Sequence, residues 1–183
     1  MERLETRLEG PILLAPRVHG DSRGFFVETY RRDRYRELGI ADDFVQHNHS
    51  RSRRGIVRGM HFQPGQSKLV RCAQGRVFDV VVDLRRGSPT FGEWEAIELD
   101  DEANHQLYVP DGFAHGFSVL SEVADLVYLV SAYYDPSAEG GFKFDDPAVG
   151  IEWPDGELRP SERDANAAPL AEIADSLPFS YAG

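Results

Sequence analysis

Several features that would place a protein outside the cell or in a membrane are missing from this sequence of 183 residues. Cys72 is the only cysteine, so the chain cannot form an internal disulfide. The longest apolar runs, such as residues 80–82 and 126–130, are far shorter than the roughly 20 residues that span a bilayer. Residues 1–7 carry charges where a secretory signal would be apolar. We therefore expect a cytoplasmic protein without a membrane-spanning segment.

Basic residues are also scarce, with 20 lysines and arginines against 31 aspartates and glutamates, which gives a formal net charge of −11 at pH 7. Sequence-independent binding of a nucleic-acid polymer or of an anionic membrane needs a basic surface, so neither is expected as a partner. An anionic small molecule would have to meet a local cluster of cations. Apolar residues make up 41 % of the chain, which is enough for a folded core and excludes intrinsic disorder.

The pattern of turns predicts the fold class. Turn-forming residues recur roughly every eight to twelve positions, a spacing typical of an all-β sandwich or barrel. The segments between them are rich in β-branched and aromatic residues, and we predict strands over residues 24–30, 55–62, 68–72, 76–84, 94–99, 106–109, 115–120 and 126–132. Short helices are predicted over residues 31–38 and 169–174. We expect one domain, residues 1–183, folded as an all-β double-sheet jelly roll with a few short peripheral helices and with a closing segment, about residues 154–183, packed on the outside.

Half of a metal-binding pattern is present. Metal-binding cupins, which are small double-sheet jelly rolls, typically supply a His-x-His pair and a Glu from one motif and a further His from a Pro-x-Gly-x-x-His motif. Here the second motif ends at His115, but in the first motif Gln63 follows His61 where the second histidine would stand. A working site needs three or more ligands. We therefore predict a cupin-like fold without a metal ion.

A group of cations and acid/base residues occupies the place of the metal motif. Arg58 and His61 lie three apart, and Lys68 and Arg71 follow after a turn. Residues three apart in a strand face opposite sides unless a bulge intervenes, and Gly59 makes a bulge plausible. A single histidine in a strand is more often structural, but this concentration of cations in an acidic chain favours a pocket for an anionic substrate.

Several motifs between residues 21 and 164 together carry a family resemblance. They are DSRG at 21–24, RGMHFQ at 58–63, KLVR at 68–71, GRVFDVVVDLRRGSPTFG at 75–92, GFAHGF at 112–117, YYDP at 133–136 and SERD at 161–164. In this order they closely resemble the dTDP-4-dehydrorhamnose 3,5-epimerase family. The resemblance implies an isomerase that uses neither a metal nor an organic cofactor. Its substrate would be dTDP-4-dehydro-6-deoxy-glucose, epimerised at C3 and C5 to dTDP-4-dehydro-rhamnose.

The resemblance also implies roles for the catalytic residues. C3 and C5 flank the C4 ketone, so their protons can be removed if the resulting enolate is stabilised. His61 matches the base, and Asp164 matches the carboxylate that orients its ring and stabilises the imidazolium. Tyr134 matches the acid on the opposite face of the sugar. Lys68, with Arg58 beside it, matches the group that holds the C4 oxygen as it becomes negative.

Further positions match family residues that contact the nucleotide or the sugar. They are Arg23, Phe26 and Glu28 at the first predicted strand, Gln46 and Asn48 before a turn at Ser50, Arg58, His115, and more weakly Lys143 and Glu162. In the family the first segment reaches into the site of the neighbouring subunit. The resemblance therefore implies a homodimer with shared sites.

Other readings of these residues stay open on the sequence. Phe26 suits a half-buried strand and would be a core aromatic, while Glu28 and Asp164 suit surface charges. Tyr133 and Tyr134 cannot both point inward from a strand. The alternatives to a 3,5-epimerase are an enzyme that inverts only C3 or only C5, a ketoisomerase of the same sugars, and a non-catalytic or metal-binding cupin.

Overall fold

The computed structural model of the protein describes residues 1–182 and consists mainly of strands. In chain order the strands are β1 (Glu2–Leu4), β2 (Ile12–Ala15), β3 (Val18–Asp21), β4 (Gly24–Val27), β5 (Gln46–Arg53), β6 (Val57–Phe62), β7 (Lys68–Gln74), β8 (Arg76–Asp83), β9 (Trp94–Asp100), β10 (Gln106–Val109), β11 (Phe113–Val119), β12 (Val123–Val130) and β13 (Gly140–Gly141). The helices are α1 (Arg32–Glu37), α2 (Glu162–Ala165) and α3 (Leu170–Ile173), and a 3₁₀ turn over Ala174–Ser176 follows α3. Within residues 1–182 no helix is long and apolar enough to cross a membrane.

Two antiparallel sheets make up the body of the fold. The six-stranded sheet has the spatial order β1-β2-β10-β7-β12-β5, and the five-stranded sheet has the order β13-β6-β11-β8-β9. Strands β3 and β4 form a separate two-stranded hairpin. The predicted all-β, two-sheet fold with a few short peripheral helices is confirmed.

The core lies between the two sheets because alternate residues of each strand point inward. Its buried side chains come from both sheets and include Val70, Cys72, Val81, Phe117 and Leu126. Cys72 is fully buried, as expected for a small apolar residue, and burial raises the pKa of its thiol to about 12. The thiol therefore stays protonated at neutral pH and packs like an apolar group.

Each sheet is also covered on its outer face. Tyr35 of α1 is fully buried against Leu14 and Leu69 of the six-stranded sheet. Leu170 and Phe179, from the closing segment, pack against side chains of the five-stranded sheet. Both predicted helices are present at the periphery, and α1 ends before Gly39, whose φ of +97° suits glycine.

Three details of the predicted strands were wrong. The first predicted strand ends at Val27 as β4, so Glu28 lies beyond it. Ser50 is not in a turn but in the middle of β5, and Gly140–Gly141, for which no strand is predicted, pairs with β6 as β13. The sequence of β5, QHNHSRSR, contains no apolar residue. Because β5 is an edge strand with alternate residues exposed, it does not need the apolar pattern that marks a half-buried strand.

A bulge in β6 brings Arg58 and His61 to the same face. His61 pairs with His115 of β11, and Arg58 pairs with Phe117, so the register shifts by one residue between them. Gly59 lies at the shift with φ of +132°, and a Cβ built on it would stand 2.5 Å from the Cα of Gly116. Only glycine allows β6 and β11 to approach this closely.

We expect Gly59→Ala to lower the free energy of unfolding by about 3 kcal/mol, since the new methyl group would meet backbone in a close-packed site and the backbone favours glycine. Gly65→Ala is the matched control, because Gly65 also has a positive φ, +75°, but has no atom within 4 Å of the built Cβ. The control should lose only about 1 kcal/mol. Urea denaturation of both variants measures the difference, and equal losses would contradict the role given to the close approach.

Candidate active site

A cavity of about 450 Å³ lies between the two sheets and collects most of the candidate residues. Side chains on alternate positions of facing strands point into the same space. The five-stranded sheet contributes Arg58, His61, His115 and Phe117; the six-stranded sheet contributes Asn48, Ser50, Lys68, Leu126 and Tyr128; loops and the closing segment contribute Gln66, Tyr134, Glu139, Arg159, Ser161, Arg163 and Asp164.

His61, which is half-buried, and Asp164, which is buried, form a pair in this cavity. The Nε2 atom of His61 lies 2.6 Å from Oδ1 of Asp164. Asp164 is only 4 % exposed. Asp164 is carried by α2, where the Ser161 hydroxyl accepts a hydrogen bond from the Asp164 backbone N–H, and the Gly59 N–H donates to its Oδ2 at 3.4 Å. Asp164 is therefore not a surface charge, although the acidic tail suggested one.

The charge of Asp164 follows from these contacts. Burial by itself would raise the pKa of the carboxyl, but the hydrogen bonds from His61 and the Gly59 N–H, with the charge of His61, outweigh it and place the pKa below its usual value. The carboxylate is ionised at neutral pH and accepts a hydrogen bond from Nε2–H. Nδ1 of His61 is then the ring nitrogen available for proton transfer.

A second histidine–aspartate pair stands beside the first. His115 lies directly opposite His61 in the register of β11 and β6. Its Nε2 atom is 2.8 Å from Oδ1 of Asp79, a fully buried residue of β8. Paired residues on neighbouring antiparallel strands have Cβ atoms about 5 Å apart, so the two imidazoles face the same part of the cavity.

Lys68 supplies a half-buried cation on the opposite wall. Burial lowers the pKa of its ammonium group to about 8, and the negative charges of Glu139 and Asp79 partly oppose this shift. Arg58 adds a second cation, with its Nε donating to the Ser52 hydroxyl at 3.0 Å.

Two tyrosines line the cavity, at different depths. Tyr134 follows the end of β12, is 52 % exposed and donates its hydroxyl to Glu139 at 3.1 Å, a contact that raises its pKa. Tyr133 beside it is 72 % exposed, and its carbonyl accepts from Gln63. Tyr128 lies within β12 and is half-buried; burial raises its pKa, while Arg58 acts in the opposite direction. The sequence reading missed Tyr128, although its place in a strand two residues after Leu126 was a usable signal.

The cavity also contains charged residues that the sequence reading did not select. Glu139 forms an ion pair with Arg163, and both line the cavity. Glu162, the predicted neighbour of Arg163, is exposed and does not line it. Lys143 lies outside as well, with its ammonium group 3.5 Å from Asp145. Glu162 and Lys143 therefore do not line the cavity. The charged residues that line it on this side are Arg163 and Glu139.

The residues expected to bind the nucleotide divide into two groups. Asn48 lines the cavity, and Gln46 holds its rim by accepting from the Tyr134 backbone N–H at 3.1 Å. Arg23, Phe26 and Glu28 do not line the cavity of their own chain. They belong to the β3–β4 hairpin and the residue following it, where Phe26 is 69 % exposed and so is not a core aromatic.

Gln63 has a structural task where a metal-binding cupin would have a histidine. Its amide donates to the Tyr133 carbonyl at 3.0 Å and accepts from the Asp135 N–H at 2.9 Å, which fixes the loop after β12. In the described part of the chain, no three histidine, cysteine, aspartate or glutamate side chains are grouped in a way that could hold a metal ion.

Comparison with known proteins agrees with this arrangement. A family model described as dTDP-4-dehydrorhamnose 3,5-epimerase matches residues 5–172. The chain is 48 % identical over 175 residues to the dTDP-4-dehydrorhamnose 3,5-epimerase of Salmonella typhimurium, covering 93 % of this chain and 96 % of the relative. It is 46 % identical over 173 residues to the dTDP-4-dehydrorhamnose 3-epimerase of Streptomyces niveus, covering 92 % and 84 %.

Among solved structures, the dTDP-6-deoxy-D-glucose-3,5-epimerase of Legionella pneumophila, in complex with dTDP-4-keto-L-rhamnose, matches with a TM-score of 0.96 and 44 % identity, covering 100 % of this chain and 99 % of the other. The similarity in sequence and in structure extends over nearly the whole chain. With the family model matching residues 5–172, this protein belongs to the dTDP-4-dehydrorhamnose 3,5-epimerase family.

Proposed function

We propose that the protein epimerises dTDP-4-dehydro-6-deoxy-glucose at C3 and C5 to give dTDP-4-dehydro-rhamnose, using only its own side chains. The observation that carries this proposal is the His61–Asp164 pair, which faces Lys68 across one cavity. Membership of the epimerase family and the 3,5-epimerase activity named for its relatives support the same conclusion.

The chemistry follows from the placement of these groups. Nδ1 of His61 removes the proton from C5 or C3, and the C–H electron pair moves toward C4 to form the enolate. Asp164 stabilises the imidazolium that results. The ammonium group of Lys68 stabilises the negative C4 oxygen, because a cation in a water-poor cavity interacts strongly with developing charge. Delivery of a proton to the opposite face of the same carbon completes the inversion.

The acid must reach the sugar from the side opposite His61. His61 belongs to the five-stranded sheet, while Tyr128 projects into the cavity from the six-stranded sheet. The Tyr134 hydroxyl lies at the exposed rim and already donates to Glu139. We therefore assign the acid to Tyr128, and Tyr134 remains the second candidate because it lines the same cavity.

The remaining cations suit the diphosphate of the nucleotide. Arg58 and Arg163 line the cavity, and Glu139 neutralises part of the charge of Arg163. Guanidinium groups bind phosphate oxygens through charge-assisted hydrogen bonds. A chain of net charge −11 can therefore bind an anionic sugar nucleotide at this one place.

A homodimer completes the site in this proposal. Phe25 and Phe26 in β4 are 61 % and 69 % exposed, which is unusual for neighbouring aromatic residues of a folded chain. The hairpin also carries Arg23, whose side chain pairs only with Asp21 of the same hairpin among residues 1–182. Insertion of this hairpin into the site of a second copy would bury the aromatic rings and bring Arg23 and Glu28 to the nucleotide.

The test of the function is incubation with dTDP-4-dehydro-6-deoxy-glucose in deuterated water, followed by NMR at C3 and C5. We expect deuterium and inversion at both carbons, and loss of both in His61→Ala, which removes the only base proposed. His105→Ala, which changes a histidine outside the cavity, is the control.

Exchange at one carbon alone would identify a single-site epimerase, as named for the Streptomyces niveus relative. A product with the ketone moved from C4 to C3 would identify a ketoisomerase, and unchanged exchange in His61→Ala would refute the assignment of the base.

The two tyrosine candidates can be separated with the same assay. Tyr128→Phe should lower inversion by about 100-fold or more, the usual contribution of a general acid, while proton removal by His61 continues. Tyr134→Phe should keep inversion, because the rim hydroxyl is not required for delivery of the proton. The reverse result would return the role of acid to Tyr134.

The lowered pKa of Lys68 predicts how turnover falls at alkaline pH. Burial lowers the pKa of Lys68 to about 8, so the ammonium form is present below that pH and is lost as the pH rises through it. Turnover should therefore fall about tenfold per pH unit above pH 8. Lys68→Arg should move the fall to higher pH, since a guanidinium stays charged. A wild-type profile that stays flat to pH 10 would contradict the role of Lys68.

Sharing of the hairpin predicts complementation between inactive variants. One variant carries His61→Ala, and the other carries Arg23→Ala and Phe26→Ala. If the hairpin acts on the partner, mixed dimers contain one site with both an intact cavity and an intact hairpin. After subunit exchange, about a quarter of the wild-type activity should return. Mixed dimers that form but stay inactive would show that the hairpin does not serve the partner's site.

A further inference from the structure

Asp79 is a buried carboxylate that the proposed reaction does not yet use. It lies on β8 with no exposed surface, and its Oδ1 is 2.8 Å from Nε2 of His115. Its Oδ2 is buried and has no hydrogen-bond partner in the described part of the chain. A buried carboxylate with a single partner is costly, so its presence needs a specific reason.

Asp83, four residues along the same strand, is a buried carboxylate whose hydrogen bonds can be compared with those of Asp79. It is equally buried and accepts hydrogen bonds from the backbone and guanidinium of Arg85 and from the hydroxyls of Ser88 and Thr90, at 2.6 to 2.9 Å. Both carboxylate oxygens of Asp83 therefore accept hydrogen bonds. Asp79 instead has one partner, and that partner lines the active-site cavity.

The hydrogen bond to Asp79 determines the tautomer and the orientation of the His115 ring. His115 lies opposite His61 in the strand register, so its ring stands beside the proposed base. A neutral imidazole that donates Nε2–H to a carboxylate leaves Nδ1 without a proton. The same contact fixes the rotation of the ring and directs Nδ1 away from Asp79. Charge interaction also links Asp79 with Lys68 on the facing wall, where its negative charge favours the ammonium form.

We propose that Asp79 is a positioning residue for epimerisation, which holds the His115 ring in the Nε2–H tautomer so that a second imidazole meets the sugar beside His61. This inference rests on the proposed epimerase function. On this proposal, the buried Asp79 carboxylate destabilises the fold because one of its oxygens has no hydrogen-bond partner, and it is kept because it orients a residue of the active site.

The first test is NMR of protein labelled with ¹⁵N-histidine, without substrate. The signal of His115 is the one missing from His115→Gln, and its two-bond couplings report which ring nitrogen carries the proton. In the neutral ring we expect the Nε2–H tautomer in the wild type and a mixture of tautomers in Asp79→Asn. A wild-type His115 in the Nδ1–H tautomer would overturn the inference, and this result needs no variant of Asp79 to fold.

The second test is kinetic and separates positioning from stability. Asp79→Asn should lower kcat about 100-fold, the loss typical of a group displaced by about an ångström, while the Kd for dTDP stays within about twofold of the wild type. Asp83→Asn is the matched control, since it removes a buried carboxylate from the same strand: it should lower the Tm and leave kcat unchanged. An Asp79→Asn enzyme with wild-type kcat would overturn the inference.

A double-mutant cycle decides whether Asp79 acts through His115. If it does, Asp79→Asn should cause no further loss of kcat in a His115→Gln background. Additive losses would refute the coupling. A wild-type protein that shows the predicted tautomer but does not epimerise the sugar would refute the proposed function, while the placement of His115 by Asp79 would stand.

Discussion

The close approach of β6 and β11 at Gly59 is the constraint on which the active site depends. The bulge there puts Arg58 and His61 on one face, although three residues separate them. It also places the Gly59 N–H near Asp164, which comes from the far end of the chain. A side chain at Gly59 would push the two strands apart and change all of these relations together.

The two-sheet architecture suits an inversion reaction for a simple geometric reason. A sugar held between facing sheets exposes one ring face to each of them. His61 lies on one sheet, and Lys68 and Tyr128 lie on the other. In the proposed mechanism, base and acid then reach one carbon from opposite sides, and the ammonium group of Lys68 stabilises the enolate oxygen.

The buried carboxylates of this acidic chain have different tasks. Asp83 accepts bonds from three residues and ties together the turn after β8. Asp164 combines a contact to His61 with one hydrogen bond from the Gly59 backbone N–H. Asp79 is left with His115 alone. Of these three carboxylates, Asp83 has the most hydrogen-bond partners, and the other two each contact a histidine of the cavity.

The sequence alone determined the fold class, the strands with β-branched or aromatic patterns, and the family, because local periodicity and motif order are properties of neighbouring residues. It also led to His61 and Asp164, through a match of motifs. It could not predict β5, whose polar residues lack the apolar pattern of a half-buried strand, and it missed Tyr128, which lies deeper in the cavity than the exposed Tyr134. It selected Glu162 where Arg163 lines the cavity. Tertiary structure decided these points, because the meeting of two sheets and a distant helix around one cavity depends on contacts between residues far apart in the chain.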